Sequence, residues 1–289
     1  MKRNAVPRAA RFAAALAFLL LTTTSAYPAQ DPAAAPTGEA GAAEPSPDAT
    51  LDTSLGTGPA AEDFAAGMAA VEAGDPAAAV DRLEAALRAD PDNLRFGAEY
   101  RQAVIATQQY DRALELFEEL AGANPDSTAI HLNWGYAYVD KIPDAGAVTQ
   151  VILANTALKR FSEALEIEET WLGLYTRGNS YVYWPVVFGR AQLGIADLEK
   201  AVSWSQRMGD QAPGYHSNAY AALGDAHWRL GDREAAQSWW DRGVKRFPGS
   251  SRLQPRTSLE GDELEAFIEA HYAIGERVGT DLRDLWKEE

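Results

Sequence analysis

The chain contains no cysteine. Disulfides, thiol nucleophiles and cysteine metal sites are excluded, and so is the cysteine-borne lipid of a bacterial lipoprotein. Basic residues are in short supply: 26 Lys and Arg face 42 Asp and Glu, for a formal charge of −16. Such a surface repels phosphate backbones, so nucleic acid is not an expected partner. Histidine is scarce too. His131, His216, His227 and His271 show neither H-x3-H nor H-E-x-x-H spacing, and no P-loop or G-x-G-x-x-G pattern occurs. Glu166, Glu168 and Glu169 are close in sequence. A charge run on a helix is usually a solvated face, and these three lack an acid/base partner. No catalytic residue, metal ligand or cofactor is assigned, and the chain is not expected to be an enzyme. Sustained strand alternation is also missing.

The N-terminal apolar run, Phe12 to Leu21, has ten residues, too few to cross a bilayer, which takes about 20. Lys2, Arg3, Arg8 and Arg11 flank it, and the small residues Thr24 and Ala26 follow. These are the three parts of a secretory signal cut after Ala26. The expectation is an exported chain, placed in a bacterial periplasm by its Ala-rich composition, with no transmembrane segment once residues 1–26 are removed. The alternative is an uncleaved N-terminal membrane anchor. Removal leaves the rest four charges more acidic. Residues 27–58 hold Ala, Pro, Gly, Thr and acid, with almost no large apolar side chains. Such a segment cannot bury enough surface to fold and reads as a disordered linker.

What the chain does have is 46% apolar and 10% aromatic residues, enough for a sizeable core. It also has a recurring unit. Residues 220–248 read YAALGDAHWRLGDREAAQSWWDRGVKRFP. Gly224 allows a partner helix to approach, Gly231-Asp232 makes a turn, Ala236 and Trp240 follow at helical spacing, and Pro248 ends the unit. Upstream, Ala79 to Ala113 and Pro91 to Pro125 both span 34 residues.

This order resembles the tetratricopeptide repeat (TPR), W-x2-L-G-x2-Y, then A-x3-F, then P, over about 34 residues. The resemblance covers about Asp63 to Pro248 and implies an all-α fold: an α-solenoid of about five TPR-like helical hairpins. A single hairpin buries too little apolar surface to stand alone, so copies stack. The repeats occupy 59–248. Residues 249–289 form a C-terminal cap and tail, in which Glu260 to Ile274 carries Leu264, Phe267 and Ile268 on one helical face.

Deviations from the repeat stand out against it. The second unit has Arg101 where Gly is usual, so its first helix is expected to pack less closely. The third carries about ten extra residues at about 140–156, read as an N-terminal extension of its second helix, projecting roughly 15 Å. The fourth carries a smaller insert at about 182–188, where Tyr183-Trp184-Pro185 interrupts the helix.

In TPR proteins the first helices of successive hairpins line a concave groove. The resemblance places Tyr136, Tyr175, Asn179 and Tyr183 there, with Trp184 beside them, and Trp228 and Arg229 in the fifth unit; Asp140 and Asp225 fall on the same face. Aromatics with interspersed amide and charged groups suit a protein or peptide partner. The expected function is a non-catalytic scaffold or adaptor in a cell-envelope process. The alternatives are a small-molecule or glycan-binding protein with an aromatic pocket around 171–188, and an accessory subunit of an envelope enzyme. A closed cavity between the insert and the fourth unit would mark the small-molecule case.

Overall fold

The computed structural model describes residues 51–273 and 278–286. The expected signal and most of the expected linker lie outside them. Within the described residues, ten helices form five consecutive hairpins: α1 (Pro59–Glu72) with α2 (Pro76–Ala89), α3 (Leu94–Thr107) with α4 (Tyr110–Ala123), α5 (Thr128–Lys141) with α6 (Ala147–Ile167), α7 (Trp171–Val182) with α8 (Ala191–Arg207), and α9 (Ser217–Arg229) with α10 (Arg233–Arg246). A short α11 (Gln254–Ser258) and α12 (Gly261–His271) follow. The fold is an all-α solenoid.

The helix starts are written in short polar side chains. Asp75, Asn93, Ser127, Thr170 and Asp232 each accept a hydrogen bond from the backbone N–H three residues on. These bonds satisfy donors that the first turn leaves orphaned. Close approach within a hairpin depends on glycine: a Cβ on Gly224 would lie 2.2 Å from Nε1 of Trp240. Arg101 occupies the corresponding place in the second hairpin. There α3 stands apart from α4 and leans on α2 and α5 instead.

The insert in the third unit lengthens α6 to 21 residues, against 14 for α2, α4 and α10. Pro143 sits in a 3-10 turn, Ile142–Asp144, that separates α5 from α6. The N-cap of α6 is Gly146, which has no side chain to cap the helix. In the fourth unit α7 ends at Val182, before Pro185, and a 3-10 turn follows at Val186–Phe188.

Two apolar clusters meet along α3 and α5, one centred on the first two hairpins and one on the rest. The chain outside the repeats also joins the fold. Asp52 and Ser54 belong to the expected linker, yet the Asp52 carbonyl accepts from the Leu94 N–H at 2.8 Å and the Ser54 carbonyl from Asn93 Nδ2 at 2.8 Å. The C-terminal part turns back along the first helices of the hairpins. Tyr272 reaches Asp225 on α9, Thr280 reaches Asp140 on α5, and Arg283 reaches Glu99 on α3.

Candidate functional site

The site begins with the long α6. Its added turns stand beside α5 and α7 and create a cavity of about 160 Å³. α6 contributes Gln150, Val151, Ala154 and Leu158; α5 contributes Tyr136 and Val139; α7 and the Tyr-Trp-Pro interruption contribute Tyr175, Asn179, Tyr183 and Trp184. Tyr272, Val278 and Thr280 roof it. The walls are mostly apolar, with hydroxyl and amide groups at a few points. No Asp, Glu, His, Lys or Arg lines it among the described residues.

Five of the seven residues singled out from the sequence therefore share one cavity. The Tyr136 hydroxyl lies 2.5 Å from Thr176 Oγ1, tying α5 to α7. Trp184 is buried, with the Arg190 guanidinium 3.7 Å over its ring. Tyr183 packs edge-on against Tyr272 at 4.7 Å. Burial pushes the hydroxyls of Tyr136, Tyr175, Tyr183 and Tyr272 above the usual tyrosine range, so each remains a neutral donor. Arg229 stands behind the cavity, donating to the Trp184 carbonyl at 3.1 Å and lying 4.9 Å over Tyr272. Trp228 is not brought to this site. It packs on Trp240 at 5.6 Å and under Arg233 at 3.5 Å.

The inner face holds two polar clusters that sequence reasoning did not assemble. Asp225 accepts from Arg256 Nε at 2.6 Å and Nη2 at 2.5 Å, from the Tyr272 hydroxyl at 2.8 Å and from Trp240 Nε1 at 3.1 Å. Further along, Arg101 is completely buried, donating to Asn133 at 3.0 Å, Asp140 at 2.8 Å and the Thr280 carbonyl at 3.1 Å. The signal for this second cluster was Arg101 itself, a long charged residue where the repeat wants glycine. Its partners lie 32, 39 and 179 residues away, beyond any local pattern.

The histidines do not converge. His216 stacks on Trp171 at 4.1 Å, bonds Ser205 at 2.9 Å through Nδ1, and is held neutral. His271 packs against Tyr183 on the roof, where burial, then the Arg256 charge, lowers its pKa. Among the described residues no His, Cys, Asp and Glu group could hold a metal ion, and no helix is long and apolar enough to cross a membrane.

Stacked helical hairpins with a lined inner face define a repeat solenoid, an architecture that presents an extended concave binding surface. Residues 70–132 and 217–248 each match a family model described as tetratricopeptide repeat. Both segments carry tetratricopeptide repeats, and the matches define no narrower subfamily. No curated protein matches it. A solved thermophilic TPR protein of Thermus thermophilus is 17% identical, aligns over 69% of this chain and 97% of its own, and has a TM-score of 0.50. YrrB, a TPR protein with an unusual peptide-binding site, is 15% identical over 69% of this chain and 92% of its own, with a TM-score of 0.44. The MamA protein is 16% identical over 70% and 96%, at a TM-score of 0.44. At these identities the likeness concerns the fold alone.

Proposed function

We propose that the protein is an exported, non-catalytic TPR scaffold that binds a protein or peptide partner in a cell-envelope process. One observation carries the binding part: the inner face already holds polypeptide. Residues 278–286 lie against α3 and α5 and are held through Thr280 and Arg283. A face that grips one polypeptide segment by side-chain and carbonyl contacts has the chemistry to grip another. The export part rests on the basic start, the apolar run and the small residues before position 27. Periplasmic placement follows from the same pattern and from the absence of a lipidation cysteine.

The cavity favours a second function, the binding of a small apolar molecule. It is a partly open cavity between the insert and the fourth unit. A dry apolar cavity of about 150 Å³ accepts one benzene ring. The volume here therefore suits a single ring better than a glycan, which would need more polar partners.

The test is affinity purification from the native envelope with mass spectrometry, using the full chain and its Tyr183→Ala and Trp184→Ala variants. A scaffold captures a defined partner, and the variants alter that capture at unchanged melting temperature. Unchanged capture with a lowered melting temperature makes both residues core and removes them from the binding surface. N-terminal sequencing of the exported protein is expected to begin after Ala26; a start at Met1 overturns the cleaved signal.

A further inference from the structure

The C-terminal segment does not rest on the repeats through apolar burial alone. Three of its side chains are read individually. The Thr280 hydroxyl donates to Asp140 Oδ1, and its carbonyl accepts from Arg101 Nη2 at 3.1 Å. Arg283 faces Glu99 with Nε at 2.9 Å from Oε1 and Nη2 at 2.7 Å from Oε2, a two-pronged contact. Trp286 lies 5.4 Å from the Arg95 guanidinium, one turn before Glu99 on α3. Leu282 alone turns its apolar side chain fully inward.

The two walls of this contact differ in what they require. Arg101 keeps Asn133 and Asp140 as partners whether or not the segment is present. Glu99 does not have that security. It is 3% exposed, and its cationic partner among the described residues is Arg283. The segment supplies part of that burial, so without it the Glu99 carboxylate opens onto the inner face as an anionic acceptor for another cation. Arg283 is itself about a third exposed, so the outer edge of the contact is open to a competitor.

Resting on the groove as the binding surface, we infer that the inner face of α3 and α5 is a site for a partner segment with a hydroxyl residue followed three positions later by arginine, and that the chain's own Thr280–Arg283 is a built-in ligand holding that site until the partner displaces it. A tethered ligand competes at an effective concentration in the millimolar range. A free segment of the same chemistry therefore binds the intact chain weakly, and a chain whose own arginine is removed binds it well. Charge-assisted pairing at Glu99 also makes the binding weaken with salt.

The experiment measures fluorescence anisotropy of a labelled peptide of residues 278–286 added to the full chain, to its Arg283→Ala variant and to a chain that carries Glu99→Gln together with Arg283→Ala. The Arg283→Ala chain is expected to bind the peptide at least tenfold more tightly than the wild type. The same peptide with Arg283→Ala, and the chain that carries Glu99→Gln together with Arg283→Ala, are each expected to lose that binding. Equal affinity of the wild-type and Arg283→Ala chains overturns the inference. Should Arg283→Ala not fold, amide exchange on the wild type decides. Excess peptide is expected to deprotect residues 278–286 while α3 and α5 keep their protection; unchanged protection of the segment makes it a fixed part of the fold and overturns the inference. Capture of native partners reads the scaffold function separately. Equal capture by wild type and Arg283→Ala, with no gain in peptide affinity, leaves the scaffold standing and removes only the built-in ligand.

Discussion

Asp225 on α9 and Arg256 on α11 face each other in two hydrogen bonds, of 2.6 and 2.5 Å, with both side chains closed off from solvent. The pair lies where the resemblance put an open binding face. Trp240 and Tyr272 complete the carboxylate's shell, so α10, α11 and the residue after α12 all depend on one side chain of α9. Asp225→Asn keeps the shape and removes the charge, leaving Arg256 buried and uncompensated. The expected loss is about 3–5 kcal/mol of unfolding free energy. Adding Arg256→Met to it restores a large part of that loss. Urea denaturation of the single and double variants measures both.

His216 predicts a pH dependence with a definite sign. Burial, then the Arg246 charge, holds its pKa down to about 3 against an ordinary value of 6.5. Below the ordinary value the unfolded chain binds a proton that the folded chain refuses. The contribution is fully present above pH 6.5 and shrinks as pH falls towards 3, at most about 1.4 kcal/mol per pH unit. His216→Phe retains a flat ring against Trp171 and has no proton to gain. Its melting temperature is expected to fall less than the wild type's between pH 7 and pH 5; equal slopes would show that His216 is not the group responsible.

Gln108 closes α3 in the left-handed region, at φ 57°, where the first and last units place Gly74 and Gly231 at φ 75° and 89°. A side chain in that conformation costs about 1 kcal/mol. Gln108→Gly is expected to stabilise the protein by somewhat less than that, because glycine gains entropy in the unfolded chain. Thermal unfolding of the variant measures the difference.

Ala154 lines the cavity from the projecting part of α6. Ala154→Phe fills that space with the chain's own ring. Benzene-saturated buffer is expected to raise the melting temperature of the wild type by about 2 °C, as any ligand of the native state does, and to leave the variant's unchanged. An equal response from both proteins would place benzene elsewhere.

Much of the fold was legible in sequence because the repeat is local. A glycine such as Gly224, a turn such as Gly231-Asp232 and a small residue such as Ala236 act within one hairpin, and their spacing survives in the string of letters. The inserts were legible as departures from that spacing, and five of the seven chosen residues share a cavity beside them. Trp228 lies apart from that cavity; helical periodicity gives a face without telling which neighbour covers it, and here Trp240 and Arg233 do.

What the sequence by itself determined is the kind of stack and the places where it is irregular, since 34-residue periodicity and helix caps depend on contacts within one or two units. Only the tertiary structure decided what lies on the inner face. Arg283 meets Glu99 across 184 residues and Thr280 meets Asp140 across 140. No spacing rule relates such pairs. They exist because the chain after α12 turns back along the stack, where a buried carboxylate and a buried arginine supply charge and hydrogen bonds that the returning segment completes.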